Sequence, residues 1–231
     1  LIRFDGKEMN YLEDIQGRTN RHVNALDFDD RGNVIFSTQY RGLFKLSYDR
    51  IDKIDTITYS GQNQNVLFHK GQLIVVQDGG VMIYEGEKLI AEEKTYPYDE
   101  SMRFYEGTII DNAVFLFTSK GNFIVYDSKI TPLNEWLGTQ ENTTKNYSSA
   151  YKTGDSLVLI DKYISEEMTV LMEDFRPKFF IQTEIEEPIL QKDEYIVRSD
   201  ERYDFCVFIT NLGRVITKNK KTNEYQALRN N

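Results

Sequence analysis

The chain has 231 residues, of which 40% are hydrophobic and 28% charged, an ordinary balance for a globular protein of one large domain or two small ones. With 28 basic against 37 acidic side chains it carries a net charge of −9, which repels phosphate backbones and argues against nucleic acid as a main partner. A single cysteine, Cys206, excludes an internal disulfide, and no apolar stretch approaches the roughly 20 residues needed to span a bilayer. The chain begins at Leu1 and no charged-then-apolar start reads as a signal peptide, so the expectation is a processed protein or a piece of a longer one.

Leu1 to Glu8 and Met9 to Leu12 read as two strands of an incomplete unit. A repeat then sets in. Short apolar runs recur at Val34-Ile35-Phe36, Leu73 to Val76, Val114 to Phe117, Leu157 to Ile160 and Val207-Phe208-Ile209, their starts 39, 41, 43 and 50 residues apart. Each is too short for a helix and rich in β-branched or aromatic residues, hence a strand. Because the runs do not alternate with polar residues, both faces of each strand should be buried.

Turn residues flank every run. Asp29 to Asn33, Lys70-Gly71-Gln72, Asp111-Asn112, Gly154-Asp155 and Tyr203-Asp204 precede them. Tyr40-Arg41-Gly42, Asp78-Gly79-Gly80, Ser119-Lys120-Gly121 and Asn211-Leu212-Gly213 follow, and glycine there supplies the positive φ of a hairpin. The fourth unit has Asp161 to Ser165 and no glycine, which predicts a longer connection. Leu133 to Asn146 is a polar connection with room for one helical turn.

About four strands in roughly 40 residues is the signature of a β-propeller blade. The expected fold is therefore all-β: a propeller or propeller fragment of about five four-stranded blades. A partial amino-terminal blade occupies residues 1–19, and blades follow at 20–59, 60–97, 98–147, 148–186 and 187–229. The amino-terminal pair is surplus to a simple ring closure, which favours a segment of a larger propeller over a small propeller with an irregular closing blade.

Residues 1–52 carry a more specific pattern: Ile2 to Lys7, Val23 to Asp29, Gly32-Asn33-Val34-Ile35-Phe36-Ser37-Thr38, then Gly42-Leu43-Phe44-Lys45-Leu46. This resembles the two-component regulator propeller repeat, in which a strand, an Asp, Gly-Asn, an apolar strand ending in Gly-Thr and a Gly-Leu follow one another. Ser37 replaces the usual glycine before Thr38. Beyond residue 60 the match reduces to periodicity, with Thr118 to Gly121 and Thr210 to Gly213 its clearest echoes. The resemblance implies the exported sensor region of a bacterial hybrid two-component system, periplasmic or at the cell surface, or an exported propeller that organises other surface proteins.

Candidate chemistry is sparse. His22 and His69 are isolated, one per unit, where a triad or zinc site needs a convergent cluster. Cys206 lies in an apolar run and reads as a small hydrophobe. Asp27 to Gly32 has the first positions of a calcium loop, but Arg31 stands where an oxygen ligand is wanted and Thr38 where the bidentate Glu belongs. Glu166-Glu167, Glu173-Asp174 and Glu184, Glu186, Glu187 offer carboxylates for glycoside hydrolysis, although proximity in sequence does not aim two of them at one bond. Lys218 to Lys221 reads as a basic outer turn in solvent. No enzyme activity, metal or cofactor is expected.

The connections between blades and those between second and third strands share one face of a propeller. That face should carry Arg18, Arg21, Tyr40, Arg41, Tyr96, Tyr98, Trp136 and Tyr163 as ligand-binding residues, with Asp78 and Tyr147 beside them. Aromatic faces stack on sugar rings and anchor protein partners, and long connections on a rigid scaffold are where binding concentrates. For Trp136 and Tyr98 the competing reading is that they cover the outer strands of their own blades. The expected function is a non-catalytic sensor propeller for a glycan or other polar ligand. The alternatives are a protein–protein scaffold of a surface or secretion assembly, which admits a protein partner or homodimer, and a carbohydrate-active enzyme.

Overall fold

The computed structural model describes residues 2–4, 9–11, 23–38, 42–47, 50–54, 65–94, 102, 104–139, 147–185 and 189–228. The chain divides into two compact units, Leu1–Met102 and Arg103–Asn231. The first opens with a hairpin of β1 (Ile2–Phe4) and β2 (Met9–Tyr11). Two four-stranded sheets follow. One comprises β3 (Val23–Phe28), β4 (Val34–Thr38), β5 (Gly42–Ser47) and β6 (Arg50–Ile54). The other comprises β7 (Asn65–His69), β8 (Gln72–Gln77), β9 (Gly80–Glu85) and β10 (Lys88–Lys94).

The second unit holds three more sheets. The first runs β11 (Phe104–Ile110), β12 (Ala113–Thr118), β13 (Gly121–Tyr126) and β14 (Lys129–Pro132), and a short helix α1 (Leu133–Leu137) leaves it. The next runs β15 (Tyr147–Thr153), β16 (Ser156–Asp161), β17 (Glu166–Glu173) and β18 (Arg176–Glu184). The last runs β19 (Ile196–Arg202), β20 (Phe205–Thr210), β21 (Val215–Asn219) and β22 (Tyr225–Ala227). All five are antiparallel meanders in which each strand pairs with its neighbour in sequence, the blade pattern that the repeat predicts.

The apolar runs are the second strands, and their period of two divides the core. In β16, Leu157 and Leu159 join Phe115 and Phe117 of the preceding sheet and Leu133 of α1. Val158 and Ile160 join Cys206, Phe208 and Ile216 of the following one. A strand buried on both faces therefore lies between two sheets. In the first unit Ile35 and Leu43 pack on Val66, Leu73 and Val75. The run in β20 departs from the expectation: Cys206 and Phe208 are buried but Phe205 and Ile209 are exposed. Within the second unit a sheet covers only one face of β20.

Polar bonds reinforce the sheet-to-sheet packing. Asp27 of β3 accepts the Phe68 N–H of β7 at 2.6 Å. Asn122 donates to the Tyr147 carbonyl at 3.0 Å. Lys218 of β21 is fully buried, not solvated as its basic turn suggested. The sheet period turns its side chain inward, where the ammonium pairs with Glu167 of β17, 4.9 Å from the Tyr225 ring centre and 5.3 Å from that of Tyr151. Burial pulls the Lys218 ammonium below its usual range despite that pairing. Cys206 stands opposite Lys218 in the ladder and is buried.

A bulge interrupts the start of β3, β11, β15 and β19 where each pairs with its second strand, and such bulges re-aim the residues beside them. Strands β11, β15 and β19 lie against one another. Here Glu106 of β11 is buried and accepts from Thr108 at 2.6 Å, from Ser199 of β19 and from Ser149 of β15. Burial pushes its carboxyl up, against the pull of those hydroxyls.

The connections obey local chemistry. Gly80 sits at φ +147°, where a Cβ would lie 2.1 Å from the Glu93 carbonyl oxygen, so only glycine fits. The glycine-free fourth connection, residues 162–165, is longer than residues 78–79 and 119–120 but no longer than the glycine-containing fifth, residues 211–214. Asp161 organises the fourth connection, accepting from Ser165 N (2.6 Å), Ser165 Oγ (2.9 Å), Glu166 N (3.1 Å) and Tyr163 N (3.2 Å). Ile164 takes the positive φ of +51° there. The expected helical turn is α1, which ends at Gly138 in the left-handed region (φ 68°).

Candidate functional site

The expected binding face is described only in part. Arg18, Arg21, Tyr40, Arg41, Tyr96 and Tyr98 lie outside the described residues. Trp136 and Tyr163 are described, both in the second unit. Trp136 is half-buried on α1. Its ring meets Phe115 edge-on at 5.7 Å and Phe175 at 5.6 Å, and Phe175 stacks on Tyr126 at 4.5 Å. Trp136 therefore packs against the β17–β18 turn of the next sheet as well as its own. Tyr163 is exposed in the β16–β17 connection, with the Lys162 ammonium 4.8 Å from its ring centre.

Two neighbours expected on that face are otherwise engaged. Tyr147 is fully buried in the core beneath α1, in the stretch Tyr147 to Tyr151 of β15 that is buried on both faces. Asp78 accepts the Met102 N–H at 3.0 Å. Glu194, which the sequence did not single out, braces the same end of the last sheet. It is buried and accepts from Arg214 (2.5 Å), Thr210 (2.6 Å) and the Gln191 N–H (2.8 Å). Burial raises its carboxyl, but these donors together hold it below the usual range.

A groove that the sequence did not reveal lies in the first unit, between its two four-stranded sheets. Its volume is about 410 Å³, within the range of small-molecule sites. The apolar floor is Ile35, Ile54, Phe68 and Leu73. The rim is Asp29, Asp30 and Arg31 of the β3–β4 turn, Lys45 of β5, and Glu87 of the β9–β10 turn. The only sequence signal was the run Asp29-Asp30-Arg31, which reads as a turn and nothing more.

The rim charges divide into two groups. Asp29 is committed to the fold: it accepts from Lys45 Nζ (2.7 Å), the Asn33 amide (2.8 and 3.0 Å), Asn33 N–H (2.8 Å) and Arg31 N–H (3.0 Å). Burial alone would raise its carboxyl, but the Lys45 and Asn33 bonds hold it well below the usual carboxylate range. The side chains of Asp30, Arg31 and Glu87 make no hydrogen bond or ion pair among the described residues. The groove therefore offers two carboxylates and a guanidinium above an apolar floor. That set can accept from and donate to hydroxyls while an apolar ligand face rests on Phe68 and Leu73.

Of the carboxylates considered for hydrolysis, Asp174 and Glu184 are exposed with no partner among the described residues, whereas three others are engaged. Glu167 pairs with Lys218, Glu166 accepts from Gln182 at 2.5 Å and Glu173 pairs with Lys178 at 2.6 Å. Glu186 and Glu187 lie outside the described residues. Among the described residues no three His, Cys, Asp or Glu side chains form a cluster able to hold a metal. No helix there is long and apolar enough to cross a membrane.

No family model and no curated protein matches the chain. Its fold, however, recurs among solved structures. The extracellular domain of BT4673 from B. thetaiotaomicron, assigned to a one-component system in one structure and to a hybrid two-component system in another, superposes with a TM-score of 0.62 at 14% identity, over 97% of this chain and 32% of that one. The WD40 propeller domain of Doa1 gives 0.56 at 10% identity, over 90% and 68%. BamB from Moraxella catarrhalis gives 0.56 at 12% identity, over 90% and 65%. The chain thus spans about a third of the length of the extracellular domain that it resembles. Its five four-stranded meanders are those of a β-propeller, the architecture of the Doa1 domain.

Proposed function

We propose that the chain is a ligand-binding, non-catalytic segment of an exported bacterial sensor propeller, and that it takes a neutral glycan or similar hydroxyl-rich ligand in the groove of its first unit. The observation that carries this reading is the groove itself. Asp30, Arg31 and Glu87 stand uncommitted above Ile35, Ile54, Phe68 and Leu73, and sugar recognition needs that combination of hydrogen-bonding rim and apolar floor. The fold shared with the extracellular domain of a one-component system supports the setting. The mechanism is differential affinity: a ligand held between two sheets favours one arrangement of them and biases whatever follows. The face bearing Arg18, Arg21, Tyr40, Arg41, Tyr96, Tyr98, Trp136 and Tyr163 is the alternative ligand surface.

A thermal-shift and calorimetric screen against neutral oligosaccharides tests the proposal. Ligand at 100 times its dissociation constant adds about 2.7 kcal/mol, a readable melting shift. Arg31→Ala and Glu87→Ala should each weaken binding about tenfold with unchanged melting of the unliganded chain. Binding untouched by both variants but lost in Tyr40→Ala or Tyr163→Ala moves the site to the loop face. Failure of every sugar, together with a stable protein partner in a pull-down, replaces the sensor reading with a scaffold.

A further inference from the structure

Each four-stranded sheet ends in an outer strand whose far backbone edge no described strand pairs. Such edges are templates for pairing with another chain, and proteins protect them with charge, shortness or a cover. Four of the five are protected. β6 carries Arg50, Asp52 and Lys53, and β10 carries Lys88, Glu92, Glu93 and Lys94. β14 has four residues and α1 packs against it. β22 has three. β18 is the least protected: it runs nine residues, the longest strand described, its charges Arg176, Lys178 and Glu184 sit toward its ends, and its uncharged centre is Phe179-Phe180-Ile181. These three are 53%, 39% and 55% exposed, with the exposed Leu171 of β17 beside Phe179.

We propose that β18 is the dimerisation edge of this protein, pairing antiparallel with β18 of a second copy about a two-fold axis through Phe180. The charges of the strand select that occupant and that register. β18 is basic at its start and acidic at its end. With Phe180 opposite itself, Arg176 faces Glu184 of the second copy at both ends, and Phe179 faces Ile181. Neither Arg176 nor Glu184 has a partner among the described residues. Lys178 faces Gln182, so no like charges oppose. Moving the axis to Phe179 would set Glu184 against Asp174, and moving it to Ile181 would set Phe180 against Gln182. Opposite charges and apolar pairs directly across an antiparallel ladder are its stabilising units. Pro177 removes one donor near each end and leaves the centre intact. The two copies join their four-stranded sheets into one, and a two-fold pairing consumes both edges, so assembly closes at two.

Sedimentation of the chain over concentrations from about 1 to 200 µM reads the equilibrium directly. The expected weight rises from 27.1 kDa toward twice that value. Arg176→Glu and Glu184→Arg should each weaken the dimer about tenfold, since each creates two like-charge pairs. The double variant should restore it, and all three should melt like the parent because both residues are at the surface. Oxidised Phe180→Cys should give a covalent dimer, whereas Lys178→Cys, four residues from its own copy across the axis, should not. A chain that stays monomeric, a dimer indifferent to charge reversal, an unrecovered double variant or an open ladder of larger species would each overturn the proposal.

Discussion

Four donor groups converge on the two oxygens of Asp29, so this side chain sets both the β3–β4 turn and the pH response of the first unit. Asp29→Ala leaves the Lys45 ammonium and two backbone N–H groups without their acceptor, at a cost of about 2 kcal/mol. Its depressed carboxyl gives the sign of the pH effect. The stabilisation is complete above the unfolded value of about 4 and declines as pH falls through it toward the folded value. Glu194 acts in the same direction. Glu106 acts in the opposite one, because a raised carboxyl favours the fold below about pH 4 and loses that advantage as pH rises. The melting difference between the parent and Asp29→Asn should therefore be largest near neutrality and shrink below about pH 4. A difference that stays constant across that range would show that Asp29 acts by shape alone.

At the scale of elements, the join between the last two sheets rests on a buried ion pair. Lys218 and Glu167 are enclosed, and the Tyr225 hydroxyl also donates to Glu167. Breaking one partner of such a pair costs about 3–5 kcal/mol, because the other charge is left buried. Lys218→Met should lower the unfolding free energy read from urea titration by that amount, and Lys218→Met with Glu167→Gln should recover at least half of it. An equal loss in both variants would mean that the packing of the lysine stem, not its charge, holds the sheets together. Lys218 also marks the limit of what the sequence discloses. The apolar runs of β8, β12 and β16 and the glycine turns beside them announce strands and hairpins, because burial on both faces and positive φ leave compositional traces. The destination of a lone lysine, of Trp136 on α1 or of Glu106 beyond its bulge depends on which neighbouring sheet lies opposite, and periodicity does not encode that. The groove was illegible for the same reason: its floor and rim come from two sheets, and Asp29-Asp30-Arg31 looks like any polar turn.

Across the whole molecule, a net charge of −9 acts on every ligand before contact. It repels anions and leaves neutral solutes untouched. Binding of a neutral oligosaccharide should change less than about twofold between roughly 50 and 500 mM salt, because screening removes nothing that contributes to it. Calorimetry at the two salt concentrations checks this, and tight salt-sensitive binding of a sulfated or uronic polymer would contradict it. The strand order of the described sheets has a further consequence, for how the molecule is made. Because no four-stranded sheet borrows a strand from further along the chain, each can close as soon as its own fourth strand has been synthesised. An emerging or threading chain then presents at most one unfinished sheet at a time, which keeps sticky partly formed surface small while the remainder is still being delivered.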